Sequence, residues 1–240
     1  MPLLLDERAT TLREAMDDSD CDLETLERTY ANFTIINRWL SRWQQLFQRW
    51  LVPQLRPHQP NSLLDIGCGG GDVARMLLAW AQQAGYALHI TGIDNDARAI
   101  AYAERQKPVP GLHFRQVSSQ TLLAEGARFD IVISNHLLHH LNPQELPKLC
   151  RDSQQLSKRL VLHNDIERGD VAYLGFGLLT WPWFRRSFIR EDGLRSIRRS
   201  YAVEEMHALL GAAGLHGWQV KRQLPYRLLL CYQHADEKQA

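Results

Sequence analysis

From residue 62 onward, short apolar runs typical of buried strands alternate with segments whose apolar residues recur every three or four positions. The apolar runs predict strands over residues 62–65, 87–94, 112–117, 129–134 and 159–165. Helices are predicted from about Asp72, from about Asp96, and after Asn142, an N-cap followed by Pro143. This alternation indicates a parallel sheet with helices on both faces.

The last part of the chain departs from this alternation. A helix is predicted over residues 203–213, followed by two apolar strands over residues 218–223 and 226–233. Only Leu224 and Pro225 lie between these strands, and such a short link requires an antiparallel pair. The predicted fold is therefore α/β, a Rossmann-like doubly wound sheet of seven strands that ends in an antiparallel strand pair.

Two helical segments lie outside this pattern. Residues 1–58 are predicted to form an N-terminal cap, with Ser19-x-x-Asp22 as a capping box, in front of a main domain over residues 59–240. Residues 167–200 are predicted to be a helical insertion that covers a substrate site. Most tryptophans of these segments are expected to pack helices onto the core, while some line a pocket for a flat apolar substrate. They are Trp39, Trp43, Trp50, Trp181 and Trp183.

Composition narrows the classes of function. The 240 residues contain 28 Lys and Arg against 27 Asp and Glu, so overall charge gives no reason to expect a nucleic-acid partner. Four scattered cysteines form no C-x-x-C pair, and the apolar start of the chain is shorter than a signal peptide requires. No apolar run reaches the roughly 18 residues of a membrane span. These features predict a cytoplasmic protein.

The stretch LLDIGCGGGDVARML follows the first predicted strand. Its glycines, at Gly67, Gly69 and Gly71, would let a ligand approach the backbone closely because no Cβ intervenes. A dinucleotide fingerprint would need glycine at position 72, where this chain has Asp72. Asp94, at the end of the second strand, is placed to accept both hydroxyls of a ribose. NAD and S-adenosylmethionine both carry such a ribose.

With these motifs, the chain resembles the class I S-adenosylmethionine-dependent methyltransferases across residues 62–233, and the terminal strand pair distinguishes it from dehydrogenases. The resemblance implies that Asp65, Gly67, Cys68 and Gly69 surround the methionine part of the cofactor, and that Asp94 and Asn95 hold the ribose. It places Ser118 and Ser119 where the family usually has an acid for the adenine amine, so a hydroxyl or the backbone would make that contact. Asn135, after the fourth strand, completes the expected cofactor site.

A narrower resemblance involves the cap segments. Phe33-x-x-x-Asn37-x-x-x-Ser41 and the run 196–199 are similar to segments of the quinone C-methyltransferases of ubiquinone and menaquinone synthesis. The segment SNHLLHHL after the fourth strand differs from theirs, which contains Arg-Asn. The resemblance therefore supports a related subfamily, while the substrate stays open.

Three histidines are candidates for a base that removes a proton from a phenolic acceptor. His139 is the first choice and His140 the second; His163, at the end of the fifth strand, is the third, with Asp165 as a residue that could orient a histidine. One or two of them could instead cap a helix or pack below the cofactor. Metal dependence is not expected, because Asn135, Asn164 and Asp165 would offer magnesium a single carboxylate. Zinc on His136 and His140 is the metal alternative that is harder to exclude.

The sequence predicts a methyltransferase of a small, lipophilic acceptor, aromatic or polyketide-like, methylated on oxygen or ring carbon. Tyr30, Phe33, Trp181 and Trp183 are the candidate lid and substrate residues. The arginine-rich residues 185–199 are typical of a solvated face, and contact with a substrate carboxylate or with a membrane surface are the open alternatives. A quinone-pathway C-methyltransferase and a non-catalytic cofactor-binding module are the competing interpretations, and the oligomeric state is open.

Overall fold

A computed structural model describes residues 5–181, 184 and 186–235. Its strands form one seven-stranded sheet in the order β3-β2-β1-β4-β5-β7-β6. They are β1 Asn61–Ile66, β2 Leu88–Ile93, β3 Leu112–Arg115, β4 Phe129–Asn135, β5 Ser157–Ile166, β6 Gln219–Gln223 and β7 Arg227–Gln233. The first five strands pair in parallel, and β7 pairs antiparallel with both β5 and β6. The predicted fold class and its terminal antiparallel pair are confirmed.

The helices flank this sheet and form the two cap segments. They are α1 Leu23–Trp39, α2 Trp43–Leu46, α3 Asp72–Gln83, α4 Ala97–Arg105, α5 Ser119–Ala124, α6 Glu145–Leu156, α7 Asp170–Thr180, α8 Ile189–Arg199 and α9 Val203–Ala212. Short 3-10 turns occur at Ala15–Asp17 and Leu138–His140. Within the described residues, none of these helices combines the length and apolarity needed to cross a membrane.

Successive side chains of each strand point to opposite faces of the sheet, so apolar residues form two clusters, one on each face. Leu63 and Ile131 point into the first cluster, whereas their neighbours Leu64 and Val132 point into the second. Part of the N-terminal segment belongs to the first cluster, because Trp43 and Phe47 have no exposed surface there. Residues 43–55 are thus integral to the core, whereas α1 and the segment before it lie over the ends of the strands.

Two helix starts differ from the sequence prediction. The predicted capping box at Ser19 is wrong, because Asp22 is itself the N-cap of α1 and its Oδ1 accepts the Thr25 amide at 2.8 Å. Asn142 accepts the amides of Gln144 and Glu145, as expected of a capping residue. The regular turns of α6 nevertheless begin only at Glu145. In both cases, one Asx side chain satisfies amides that the first turn leaves unpaired.

Gly71 is the residue that joins the glycine-rich loop to α3. Its φ is +77°, and a Cβ there would lie 2.4 Å from Cζ of Phe114. Gly71→Ala should lower the free energy of unfolding by about 2–4 kcal/mol, from backbone strain and overpacking together. Gly126→Ala is the matched control, since Gly126 has a φ of +71° and nothing within 4 Å of its Cβ position. Urea denaturation that found equal losses in both variants would contradict the clash with Phe114.

Candidate functional site

The carboxyl ends of β1, β2, β4 and β5 open into a cavity of about 650 Å³. Open α/β sheets bind ligands at this edge, where the strand order reverses between β1 and β4. Helix α1 covers one side of the cavity, and the α7–α8 insertion contributes Phe176, Ile189 and Asp192 on another. The cavity therefore brings together the glycine-rich loop, the cap and the insertion.

The glycine-rich loop forms one wall of the cavity. Gly67, Gly69 and Gly71 all have positive φ, which glycine adopts without strain. The loop is fixed to β2, because Oδ2 of Asp94 accepts the Gly69 amide at 2.9 Å. A Cβ on Gly69 would meet nothing within 4 Å, so the backbone borders open space. The glycine-rich loop, with Asp65 below it and Asp94 beside it, thus forms a cradle that leaves room for a ligand against the main chain.

Asp65 lies below this loop and is 1% exposed. Neither of its carboxylate oxygens has a hydrogen-bond partner among the described residues. Burial raises its pKa well above the ordinary value, and the nearby carboxylates of Asp72 and Asp94 raise it further. Burial also raises the pKa of Asp72 to about 6. A buried carboxylate without a partner is costly, so this position is suited to a positively charged ligand group.

The far end of this wall holds the predicted residues Ser118 and Ser119, and also Asp152, a carboxylate that the sequence prediction did not include. The Ser118 hydroxyl accepts the Thr121 amide and caps α5, whereas Ser119 donates to Oδ2 of Asp152 at 2.7 Å. All three residues line the cavity, together with Asn95. Asp152 lies 33 residues beyond Ser119, on α6, so no local pattern linked the two.

A polar network connects α1 to the start of α3 and to the end of β4. The Asn37 amide donates to Asp72 at 2.9 Å, and its carbonyl accepts from Asn135 at 2.8 Å and from Ser41 at 2.7 Å. Asn135 also accepts from Arg227. Asn37 therefore holds α1 against the cradle, and Asn135 supports that contact from the sheet.

The predicted lid residues have different positions. Tyr30 and Phe33 both line the cavity, and the Tyr30 ring lies 5.2 Å from the Tyr102 ring. Trp181 does not line it: its side chain is 68% exposed, with the Arg190 guanidinium over its ring. The exposed position of Trp181 at the end of α7 does not favour the predicted contact with substrate. Trp183 lies outside the described residues.

His139 lines the cavity, but both of its ring nitrogens are engaged. Nδ1 lies 2.8 Å from Oδ1 of Asp165 and Nε2 lies 3.2 Å from Oε1 of Glu14. Burial alone would lower its pKa, but Asp165 and Glu14 together raise it to about 9. A protonated imidazole between two carboxylates is a poor proton acceptor. His139 is therefore less suited than an accessible histidine to the predicted role of base, whereas Asp165 does contact a histidine.

His163 is fully buried behind the sheet edge and does not line the cavity. Its ring stacks on Trp218 with 5.9 Å between centroids, and Nδ1 lies 2.7 Å from the Ser134 hydroxyl. Burial lowers its pKa to about 3. This position, away from the cavity lining, does not favour the predicted role of His163 as a base.

His163 should make stability depend on pH. The unfolded chain takes up a proton near the ordinary pKa of about 6.5, while the folded imidazole stays neutral down to about pH 3. The contribution of neutral His163 to the free energy of unfolding is therefore present above pH 6.5 and is lost as the pH falls below it. Relative to His163→Gln, the parent should lose up to about 1.4 kcal/mol per pH unit between pH 6 and 4 in urea titrations. Parallel stability curves for the two proteins would contradict this.

His140 is the predicted base that remains accessible. Its side chain is 28% exposed and lines the cavity, with Nδ1 3.4 Å from Asp17 and Nε2 3.8 Å from Glu14. His136, which was not among the predicted bases, also lines the cavity; its Nε2 lies 3.0 Å from the Ser41 hydroxyl and 3.3 Å from Arg227. Burial and the Arg227 charge lower the His136 pKa well below its ordinary value. Because Arg227 can only donate, it occupies the His136 lone pair, and His140 is the better acceptor of a proton.

Comparison with known proteins gives a consistent assignment of the fold. Residues 63–159 match a family model described as a methyltransferase domain. The ubiquinone biosynthesis O-methyltransferase of Paraburkholderia phytofirmans is 29% identical over 165 residues, which cover 67% of each protein. The tRNA U34 carboxymethyltransferase of Shewanella halifaxensis is 30% identical over 141 residues, 57% of this chain and 40% of that protein. The chain thus spans two thirds of the first relative and less than half of the second.

Solved structures agree with this fold. The plantazolicin methyltransferase BpumL in complex with S-adenosylhomocysteine superposes with a TM-score of 0.58, covering 92% of this chain and 93% of that one. The two sequences are 15% identical, so the likeness concerns the fold alone.

Proposed function

Because this chain belongs to the class I S-adenosylmethionine-dependent methyltransferases, we propose that it methylates a small, lipophilic aromatic acceptor, on a phenolic oxygen or a ring carbon. The main support for this proposal is that a single cavity contains both ends of the site. Its lining runs from the unpartnered carboxylate of Asp65 to the accessible imidazole of His140. A cofactor and an acceptor could therefore occupy one space, shielded from water.

The cradle residues fit S-adenosylmethionine. Asp65 would face the ammonium of its methionine part, with Gly67, Cys68 and Gly69 around it, and Asp94 and Asn95 would hold the ribose. This assignment gives the unpartnered Asp65 carboxylate a cationic partner. When bound, the cofactor supplies a methyl group that its sulfonium has already activated.

At the adenine end of the proposed cofactor site, the polar residues differ from those that are usual in the family. Ser118 and Ser119 stand where an acid is common, and Ser119 already donates to Asp152. We place Asp152 near the adenine amine, as a carboxylate that reaches the site from α6. Asn135, in contrast, would act through Asn37 by holding α1 in place.

The acceptor end is formed by apolar side chains and His140. Phe33, Ile36, Phe176 and Ile189 line this region and would contact a flat apolar ring. His140 would take the proton of a phenolic hydroxyl as the bond to the methyl group forms. Tyr30 and Phe33 would exclude water during transfer.

Charge at the cavity supports an acceptor without a carboxylate. The described lining residues include Glu14, Asp17 and Asp192 but no arginine, and their one lysine, Lys148, lies on α6 one turn before Asp152. Arg195 of α8 instead pairs with Glu191 and Asp192. A phenol or hydroquinone suits this lining better than a benzoate.

Known relatives support methylation at oxygen, since the Paraburkholderia protein is named as an O-methyltransferase of ubiquinone biosynthesis. Ring C-methylation of a polyprenylated hydroquinone remains the alternative, because it needs the same deprotonation. The exposed α7 side chains Leu174, Leu178 and Leu179 support peripheral contact with a membrane that stores such an acceptor. A non-catalytic module would bind the cofactor without consuming it.

The test is an acceptor panel analysed by mass spectrometry. We expect a mass gain of one methyl group on catechols and hydroquinones that carry an alkyl or prenyl chain, and little on the matching benzoates. Nuclear magnetic resonance of the product separates the two chemistries, because an aryl methyl ether and a ring methyl group give different methyl shifts. Bound cofactor that stays unconsumed with every acceptor would contradict an enzymatic role.

A further inference from the structure

Glu14, His139 and His140 form a compact group of ligand atoms at the acceptor end of the cavity. One carboxylate oxygen of Glu14 and one ring nitrogen from each histidine lie within 4.8 Å of one another. The Glu14 oxygen is 3.2 Å from Nε2 of His139 and 3.8 Å from Nε2 of His140. In a tetrahedral zinc site, ligand atoms about 2.0–2.2 Å from the metal lie roughly 3.3 Å from one another. The Glu14–His139 distance therefore matches such a site, while the distances to His140, within 4.8 Å, would shorten when an ion binds.

The second nitrogen of each histidine faces a carboxylate. Nδ1 of His139 lies 2.8 Å from Asp165, and Nδ1 of His140 lies 3.4 Å from Asp17. Carboxylates in this position orient metal-binding imidazoles and fix their tautomer, so that Nε2 is left to the metal. Asp165 also accepts the backbone amide of His139 at 3.0 Å, which fixes the turn that carries both rings.

Carboxylates surround this group. Glu14, Asp17 and Asp165 face the two histidines, and Arg199 lies 3.8 Å from Glu14 and 3.7 Å from Asp17. A divalent cation bound at Nε2 of His139 would take the place of the proton that His139 shares with Glu14 and would add positive charge where the carboxylates converge. Glu14 and His139 are 4% and 1% exposed, so an uncompensated charge would be costly here.

From this geometry we propose that Glu14, His139 and His140 bind a divalent transition-metal ion of the zinc class, with its remaining coordination position open to the cavity. Two imidazoles and one carboxylate favour such a metal over magnesium, which prefers oxygen ligands. The sequence interpretation expected no metal because it considered residues after the fourth and fifth strands. Glu14, 125 residues before His139, was not considered.

An ion at this position would help to ionise the acceptor in the proposed reaction. This part of the inference rests on the proposed function. A phenolic hydroxyl bound at the open position would ionise more readily, because a bound cation lowers the pKa of a coordinated hydroxyl. The ion would then replace His140 as the group that favours the phenolate. Acceptors with two adjacent hydroxyls, which can chelate, would be preferred.

Binding can be measured without any acceptor. Protein without a histidine tag, stripped with a chelator, would be titrated with Co²⁺ while visible absorption and equilibrium dialysis are followed. We expect one equivalent to bind, Zn²⁺ to displace it, and Mg²⁺ not to compete. His140→Ala and Glu14→Gln should each weaken Co²⁺ binding at least tenfold. His113→Ala, which removes an exposed histidine outside the cavity, should have no effect.

Each variant would first be shown to bind S-adenosylhomocysteine as the parent does, which excludes misfolding. Absence of stoichiometric Co²⁺ binding in the parent, or equal binding in parent, His140→Ala and Glu14→Gln, would overturn the metal site. These results would leave the methyltransferase assignment intact, because that is tested by cofactor binding and acceptor methylation. Conversely, Co²⁺ binding at this site in a protein that methylates nothing would refute the proposed function alone.

Discussion

Replacing Asp65 by asparagine is expected to weaken binding of S-adenosylhomocysteine at least 100-fold, about 2.7 kcal/mol, and at the same time to stabilise the free protein. The affinity should fall because the proposed role of Asp65 is to pair with the ammonium of the ligand. The stability should rise by about 1–2 kcal/mol, because the ligand-free protein buries this carboxyl without a partner, close to Asp72 and Asp94. A gain in stability with a loss in affinity is typical of a residue kept for binding.

Asp130→Asn is the matched control for this experiment. Asp130 is also a buried carboxylate on a central strand, but it accepts from the Ser62 amide and pairs with Arg159 at 2.8 Å. Its replacement should lower the unfolding free energy and leave cofactor affinity unchanged, the reverse of Asp65→Asn. Calorimetric titration and urea denaturation measure both quantities. A destabilised Asp65→Asn variant with parental affinity would contradict the assignment of Asp65 to the ligand.

Replacing His140 by alanine should reduce kcat by 10²- to 10⁴-fold, the range that a positioned acid or base contributes. Binding of S-adenosylhomocysteine should change by less than about twofold, because His140 lies at the acceptor end, away from the glycine-rich loop. The effect would be measured as initial rates with the best acceptor from the panel. His113→Ala is again the control and should retain the parental rate.

The result would also distinguish His140 from its neighbours. His139→Gln should lower stability, because it removes the charged group between Glu14 and Asp165. A folded His140→Ala variant that binds cofactor normally and methylates at the parental rate would contradict any role of His140 in the reaction, as base or as metal ligand.

Much of the fold was predictable because its signals are local. Each strand from β1 to β5 is a short apolar run next to a helix of clear periodicity, and the link between β6 and β7 is too short for a parallel connection. The cradle was predictable for the same reason: Asp65, Gly67 and Gly69 lie within five residues, and Asp94 ends the next strand. These placements depend on spacing along the chain, which a sequence records directly.

The acceptor end could not be predicted in the same way. His139 and His140 are adjacent in sequence, yet one is held between Glu14 and Asp165 while the other faces the cavity. This difference depends on Glu14, which a distant segment brings to the site. Asp152, on α6, reaches Ser119 through a similar long-range contact. Protonation and exposure are set by such contacts, so residue type and spacing alone did not identify the accessible histidine.

The measurement that tests the central claim most directly is calorimetric titration of the parent protein with S-adenosylhomocysteine and, separately, with NAD. We predict saturable binding of S-adenosylhomocysteine at one site and no detectable binding of NAD, because Asp72 occupies the position where a dinucleotide fingerprint requires glycine. Binding of NAD, or absence of S-adenosylhomocysteine binding both with and without an added hydroquinone, would contradict the assignment of this cavity to a methyltransferase cofactor.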